Sequence, residues 1–326
     1  MLVSIIIPCY NVEAYLAEAL ESALAQDYPH IEIICVDNNS TDDTRAILEN
    51  YALCYSDKIN FLSEPKQGAS AARNMGWRFS TGQWIQFLDA DDLLLPDKIS
   101  RQISLIQKGV DFIIGTPTYE DLQGHQISLI PWDDHWKGLT HGMYCGQTSA
   151  NFYSIKCLKS VNGWNEELPD TQDTELMFRL LAADHNALID SNSSCICRDR
   201  VSGKITQKAP PGTLERHLYL RQRINSFLEK NQAAYWKNNQ TFFRLAIYRL
   251  LRMLAVHSVV KSDNLFKELL PKDFKVEANK QLKIPAWNAF LVNTFGFKTV
   301  ENLKNNIKQF FPTSLWLFLK KLIRGY

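Results

Sequence analysis

The sequence predicts an α/β protein, Rossmann-like, with a mostly parallel sheet flanked by helices and a helical C-terminal region. Three observations carry that prediction. Apolar runs of strand length alternate with amphipathic runs of helix length up to about residue 115, the pattern of βαβ units. Polar loops follow several of those strands, at the edge where open α/β sheets bind ligands. From about residue 210 only helical spacing remains.

Val3 to Pro8 is a continuous apolar strand, and Tyr15, Leu16, Ala19, Leu20, Ala23 and Leu24 follow at helical spacing. Ile31 to Val36 reads as a second strand, Thr41 to Tyr51 as a helix, Ile59 to Ser63 as a strand and Ala69 to Phe79 as a helix. Gln83 to Leu88 is the next strand, Pro96 to Gln107 a helix, and Val110 to Gly115 closes the series. Between residues 116 and 150 the periodicity fails and glycine, histidine and tryptophan accumulate, which predicts an irregular insertion. Trp132 and Trp136 fit two roles there, faces for a sugar ring or anchors of the insertion. The expected organisation is an α/β domain over 1–209, in two halves that meet at about residue 115 where the alternation stops, followed by a helical region over 210–326.

Composition narrows the function. A net charge of +1 over 326 residues excludes the strongly basic balance of a nucleic-acid binder. The seven cysteines are odd in number and lack framework spacing, so reduced thiols in a cytoplasmic protein are expected. The N-terminus runs directly into a core strand without a charged leader, and no signal peptide is expected. A Gly-x-Gly-x-x-Gly fingerprint is missing after the first strand, where Pro8-Cys9-Tyr10-Asn11 stands, which argues against a dinucleotide dehydrogenase.

The most informative segment is Phe87-Leu88-Asp89-Ala90-Asp91-Asp92, three carboxylates at the end of an apolar strand. Mg²⁺ or Mn²⁺ is held by one or two carboxylates together with substrate phosphates, so the run suggests a metal bridging a diphosphate. Taken alone, the same run also fits a solvated loop with Asp92 capping the helix near Pro96.

Four segments recur in order at strand-to-helix junctions: Val3 to Asn11, Val36-Asp37-Asn38-Asn39-Ser40-Thr41-Asp42, Gly68-Ala69-Ser70-Ala71-Ala72-Arg73-Asn74-Met75-Gly76, and Phe87 to Asp92. Together they resemble the family 2 glycosyltransferases of GT-A fold over about residues 1 to 200. The resemblance implies a nucleotide-sugar pocket in which Pro8 and Tyr10 flank the base, Asp37 and Asn38 read its edge, and Gly68 and Arg73 lie near ribose and phosphate. It implies that Asp89 and Ala90 line the ribose side, that Asp91 is the direct metal ligand and Asp89 a second, and that Asp92 caps a helix. Asn38 departs from the commonest family pattern, which has aspartate there. An asparagine can donate and accept at once, which fits uracil or thymine and also admits cytosine. UDP- or dTDP-sugars are the favoured donors.

Downstream, Gln172-Asp173 precedes the helical face of Leu176, Leu180 and Ala183. This resembles the family's acidic pair before a helix, with Gln172 in place of the first acid, and implies that Asp173 is the catalytic base. Inverting transfer of one sugar follows, to a glycan or glycolipid acceptor in cell-surface polysaccharide or glycolipid synthesis. Many relatives have a metal-binding histidine after the base, whereas Cys197-Arg198-Asp199-Arg200-Val201-Ser202-Gly203-Lys204 stands here. Arg198, Arg200 and Lys204 fit either a diphosphate-neutralising lid or a solvated basic loop. A Gln-x-x-Arg-Trp motif is missing, so single-sugar addition is expected rather than polymerisation. Sugar nucleotidyl transfer and a non-catalytic nucleotide-sugar-binding module remain as rivals.

In the C-terminal region Leu214 to Leu228 and Phe242 to Val260 read as helices, and Arg244, Arg249 and Arg252 argue against a membrane span. After Glu301 no acidic residue remains, and from Leu315 Lys320, Lys321 and Arg324 face away from most apolar groups. That tail fits an anionic membrane surface or docking on its own domain, which makes the protein cytoplasmic or peripheral to the membrane's inner face.

Overall fold

The computed structural model of the chain describes residues 1–142, 144–199 and 211–310. Two compact units divide it, Met1–Gln207 and Lys208–Tyr326.

The first unit grows from the apolar run at its start. Val3–Cys9 (β1) is buried almost throughout, as a strand covered by helices on both faces must be. Leu16–Leu24 (α1) buries Leu16, Ala19, Leu20 and Ala23 along one stripe. Ile31–Asp37 (β2), Thr44–Cys54 (α2), Ile59–Ser63 (β3), Ala69–Phe79 (α3) and Trp84–Phe87 (β4) complete the alternating half. Leu93–Leu94 (β5), Lys98–Leu105 (α4), Phe112–Glu120 (β6), Gln126–Ser128 (β7), His135–His141 (α5), Phe152–Ser154 (β8), Ile155–Ser160 (α6), Gln172–Ala182 (α7) and Ala187–Arg198 (β9) follow.

Among the described residues these strands make one sheet in the order β3-β2-β1-β4-β8-β6-β9-β5, with β7 on β6. Pairing is parallel from β3 to β4. It turns antiparallel at β8, so the sheet is mixed, with the parallel part confined to the first half and the β6–β9 pair. Register places Cys9 beside Asp37 and Ile6 beside Phe87, which brings the loops after β1, β2 and β4 to one carboxyl edge.

The segment after residue 115 is more ordered than its composition predicts. β6 runs on to Glu120 and turns back as β7, while β9 spans twelve residues that show no alternation. Register shifts at Gly115/Thr116 and Thr116/Pro117 explain why: a bulge resets which side chains face inward, and Pro117 sits at the irregularity. Trp132 stacks on Tyr144 with ring centroids 4.5 Å apart and packs on His141, so it anchors the segment. The helix expected from Pro96 begins at Lys98 with Asp97 at its N-cap position, which removes Asp92 from the capping role expected of it.

The second unit is helical: Pro211–Asn231 (α8), Ala233–Ala255 (α9), Val259–Leu269 (α10), Ala286–Phe295 (α11) and Phe297–Phe310 (α12). The expected helix over 242–260 is two, because Ser258 accepts from the Lys261 amide and starts α10. Phe243, Tyr248, Leu251 and Leu254 fill its core, and the Tyr248 hydroxyl donates to Asn288 at 2.6 Å. Among the described residues no helix is long and apolar enough to cross a membrane. The tail from Leu315 onward, like Arg200 and Lys204, lies outside the described residues.

Helix α3 lies tightly against β1 at Gly76, where an added Cβ would run into Ile6 Cγ2. Alanine at 76 gains up to about 1 kcal/mol of helix propensity but overpacks a full core, at about 1–3 kcal/mol. Gly76→Ala should therefore lower the thermal unfolding midpoint; a midpoint at or above that of the parent would show that α3 can retreat freely.

Candidate active site

The site forms where β4 ends. Phe87 and Leu88 are buried, and the chain then turns through Asp89-Ala90-Asp91-Asp92, with the Asp92 amide donating to the Asp89 carbonyl at 2.9 Å. Ser149 braces the turn twice: its hydroxyl accepts from the Asp89 amide at 3.1 Å and donates to Asp92 Oδ2 at 2.7 Å. Arg198 braces it from β9, donating its Nε to the Asp91 carbonyl at 2.7 Å and its backbone amide to Asp92 Oδ1 at 3.3 Å. Its guanidinium also pairs with Glu18, so Arg198 is a strut of the carboxylate turn rather than part of a free lid.

Asp92 is buried, and Ala90 beneath the turn is buried with it. Burial first, then the charges of Asp89 and Asp91, push the Asp92 carboxyl well above the usual carboxylate range. Asp89 and Asp91 remain partly exposed at the edge. Among the described residues no group of three or more His, Cys, Asp or Glu side chains is placed to hold a metal. Two hard carboxylates beside a third that resists ionisation fit a cation of the Mg²⁺ or Mn²⁺ type whose remaining ligands come from a substrate.

Helix α3 supplies the cation of the site. Arg73 is buried, lies over the Trp164 ring at 4.5 Å, and donates to Asp89 Oδ1 at 2.7 Å and to Gln172 Oε1 at 3.1 Å. The surface salt bridge that a lone helix arginine suggests is thus replaced by an interior one. Burial alone would lower the Arg73 pKa, but Asp89 and Asp173 outweigh it and raise it. The next residue, Asn74, clamps the loop before α7: its Nδ2 donates to the Trp164 carbonyl and to Glu166, and its Oδ1 accepts from the Trp164 amide and the Trp77 indole. Lys66 pairs with the same Glu166 at 2.7 Å.

Asp173 stands in the first turn of α7, where the helix dipole favours a carboxylate. The residue is exposed overall, while its carboxyl lies among protein groups. That crowding is the largest influence on its pKa and raises it; Arg73 opposes the shift, Asp89 adds to it, and the hydrogen bond from the Thr148 hydroxyl opposes it. Gln172 fills the acceptor role of an acid toward Arg73 without a second negative charge.

At the nucleotide end Tyr10 is half exposed at the tip of β1, just beyond Pro8, and Asp37 is buried, accepting from the Ser40 amide at 3.2 Å. Asn38 does not present the free amide that edge reading requires. Its Nδ2 donates to the Glu64 and Lys66 carbonyls, each at 2.8 Å, and its Oδ1 accepts from the Gly68 amide at 2.7 Å. Both donors are spent on backbone. Gly68, with φ of 139°, then opens α3.

Sequence reasoning missed Thr148, Ser149 and Lys66 as parts of this assembly, and it noted the Gly163-Trp164-Asn165-Glu166-Glu167 segment before the Gln172-Asp173 helix without giving Trp164 or Glu166 a role. Asn74 was visible beside Arg73, but nothing in the order of residues pairs 74 with 164 or 149 with 92.

A family model described as Glycosyl transferase family 2 matches residues 4–157. An uncharacterized glycosyltransferase of Rickettsia typhi is 36% identical over 208 residues, covering 58% of this chain and 63% of that protein. Another, of Rickettsia felis, is 35% identical over 196 residues, 55% of this chain and 31% of its own length. The chain thus spans less than two thirds of these relatives. In fold it is similar to a crystal structure of S. aureus TarS 1-349 in complex with UDP-GlcNAc, with a TM-score of 0.58, 17% identity, and coverage of 94% of this chain and 92% of that one. It is also similar to the mannosyltransferase PcManGT from Pyrobaculum calidifontis in complex with GDP-Man and Mn2+, with a TM-score of 0.51 and 16% identity over 93% of this chain and 86% of that one. Residues 4–157 of this chain thus match the model of glycosyl transferase family 2, and the mixed sheet around the carboxylate turn is similar to GT-A-type structures.

Proposed function

We propose that the chain is an inverting glycosyltransferase that moves a single sugar from a nucleoside-diphosphate sugar, a UDP- or dTDP-sugar by preference, to an acceptor hydroxyl on a glycan or glycolipid. One observation carries this reading. The buried Arg73 guanidinium bonds Asp89 in the carboxylate turn and Gln172 beside Asp173, so the turn and the candidate base are brought together at one cation. Support for the broader setting comes from the minor teichoic acid biosynthesis protein GgaB of Bacillus subtilis, 42% identical over 93 residues, which are 28% of this chain and 10% of that protein.

In this reading the acceptor O–H bond and the anomeric carbon–diphosphate bond break as the new glycosidic C–O bond forms. Thr148 holds Oδ1 of Asp173, and Oδ2 takes the acceptor proton within hydrogen-bond reach. The diphosphate leaves from the opposite face, so the anomeric centre inverts. A divalent cation held by Asp91 and Asp89 would neutralise charge on the leaving diphosphate. Arg73 orients Asp89, and Trp164 covers the guanidinium.

Release of nucleoside diphosphate from donor sugars tests the reading against its rivals. A sugar nucleotidyltransferase would instead form pyrophosphate from a triphosphate, and a binding module would release neither. Asp173→Asn keeps shape but removes the proton acceptor, so transfer should fall at least about 100-fold with donor affinity little changed. An equal loss of affinity would put Asp173 in the nucleotide pocket. Because the Asp173 pKa is raised, the base is lost as pH falls through that raised value. The acid limb of the rate profile should then lie above the ordinary aspartate value of about 3.9; a limb at or below it would contradict the role.

Asp91→Ala tests the cation. Metal-dependent donor binding and turnover should disappear while the unfolding midpoint stays close to that of the parent, because the side chain is partly exposed on a turn. Retained turnover with unchanged Mn²⁺ dependence would sink the assignment.

A further inference from the structure

We propose that Asn38 is a positioning residue: it locks the 64–68 loop as a preformed wall of the donor pocket and takes no part in choosing the base. The inference rests on the reading of this sheet edge as the donor site. Its geometry is independent of that reading.

Asn38 is buried at the end of β2, and its backbone amide donates to the Cys9 carbonyl at 2.9 Å, which ties the tips of β1 and β2 together. The side chain then makes three bonds to one short loop, giving to the carbonyls of Glu64 and Lys66 and receiving from the amide of Gly68. Neighbouring bonds follow the same path: the Glu64 amide donates to the Asp37 carbonyl, and Asn39 Nδ2 donates to the Pro65 carbonyl. A loop whose backbone polar groups are satisfied in this way needs little ordering when a ligand arrives.

The lock reaches the rest of the site from both ends of the loop. Gly68 is the N-cap position of α3, five residues before Arg73, so fixing its amide fixes where the helix starts. Lys66 pairs with Glu166, which Asn74 also holds, so the loop is joined to the segment before α7. Aspartate at position 38 could still accept from Gly68 but could donate to neither carbonyl. Its carboxylate would face two carbonyl oxygens and would lie next to Asp37. Asparagine is therefore the residue that this closed loop requires, and a preference for one base has to come from other groups.

Hydrogen exchange and nucleotide titration of the full-length protein test this, with Asn38→Asp and Asn38→Ala as variants. Exchange at Gly68 should speed up at least about tenfold in Asn38→Ala, which removes its acceptor, and by less in Asn38→Asp, which keeps one, while β1 and β2 core amides stay protected. Titration with UDP, dTDP, CDP and GDP should show every affinity reduced with the rank order unchanged. The reduction should be larger for Asn38→Asp, whose carboxylate would face the Glu64 and Lys66 carbonyls. In donor hydrolysis the KM should rise while kcat stays within about threefold, since the group that takes the proton is untouched. A changed rank order with Gly68 exchange unaltered would overturn the proposal and make Asn38 a base reader. Unaltered exchange with unaltered affinity would overturn it as well. If the parent binds none of the four nucleotides, the donor-site reading fails, and the exchange experiment alone still decides whether Asn38 holds the loop. Asn38→Ala adds no charge, so it keeps the test readable if Asn38→Asp does not fold.

Discussion

The site depends on one buried cation. Arg73 has to be desolvated to reach Asp89 and Gln172, and an unpaired guanidinium in that position would be strongly unfavourable. Asp89 supplies the compensating charge and Gln172 a neutral acceptor, while the Trp164 face covers the guanidinium. The arrangement also explains the glutamine. An acid at 172 would compete with Asp89 for the same cation and add a further negative charge beside Asp173, whose carboxyl is already raised by its surroundings.

Helix α3 is consequently more than a connector in a βαβ unit. Gly76 lets it lie tightly on β1, Gly68 sets its start, Arg73 spans the carboxylate turn and α7, and Asn74 fastens the loop around Trp164. The carboxylate turn is held just as firmly from the other side by Ser149 and Arg198. Tyr10 and Asp173 are exposed and Asp89 and Asp91 partly so, and these are groups the proposed chemistry uses. Rigid support with a few accessible polar groups is what orienting two reactants requires.

The parallel half of the fold was legible because its signals are local. Ile59–Ser63 and Ala69–Phe79 form over the residues their composition predicts, since an apolar run and a 3.6-residue stripe need no knowledge of distant partners. β9 was not legible, because its pattern is reset by bulges against β6 that only the pairing reveals. The same limit applies to the site. Asp89, Asp91, Arg73 and Asp173 could be singled out as candidates by residue type and position, yet the burial of Asp92 and the three backbone partners of Asn38 could not be read there. A helix-capping aspartate and a base-reading asparagine look the same in sequence as a carboxylate held by Ser149 and an amide spent on three backbone groups.

A double-mutant cycle between Arg73 and Asp89 tests the dependence on this cation most directly, read as unfolding free energy of Asp89→Asn, Arg73→Met and the pair. If Asp89 is what makes the buried guanidinium tolerable, Asp89→Asn alone should destabilise by at least about 2 kcal/mol, and removing Arg73 as well should recover a large part of that loss. Additive effects within about 0.5 kcal/mol would show that the two side chains are energetically independent, and that the site is organised around something other than this pair.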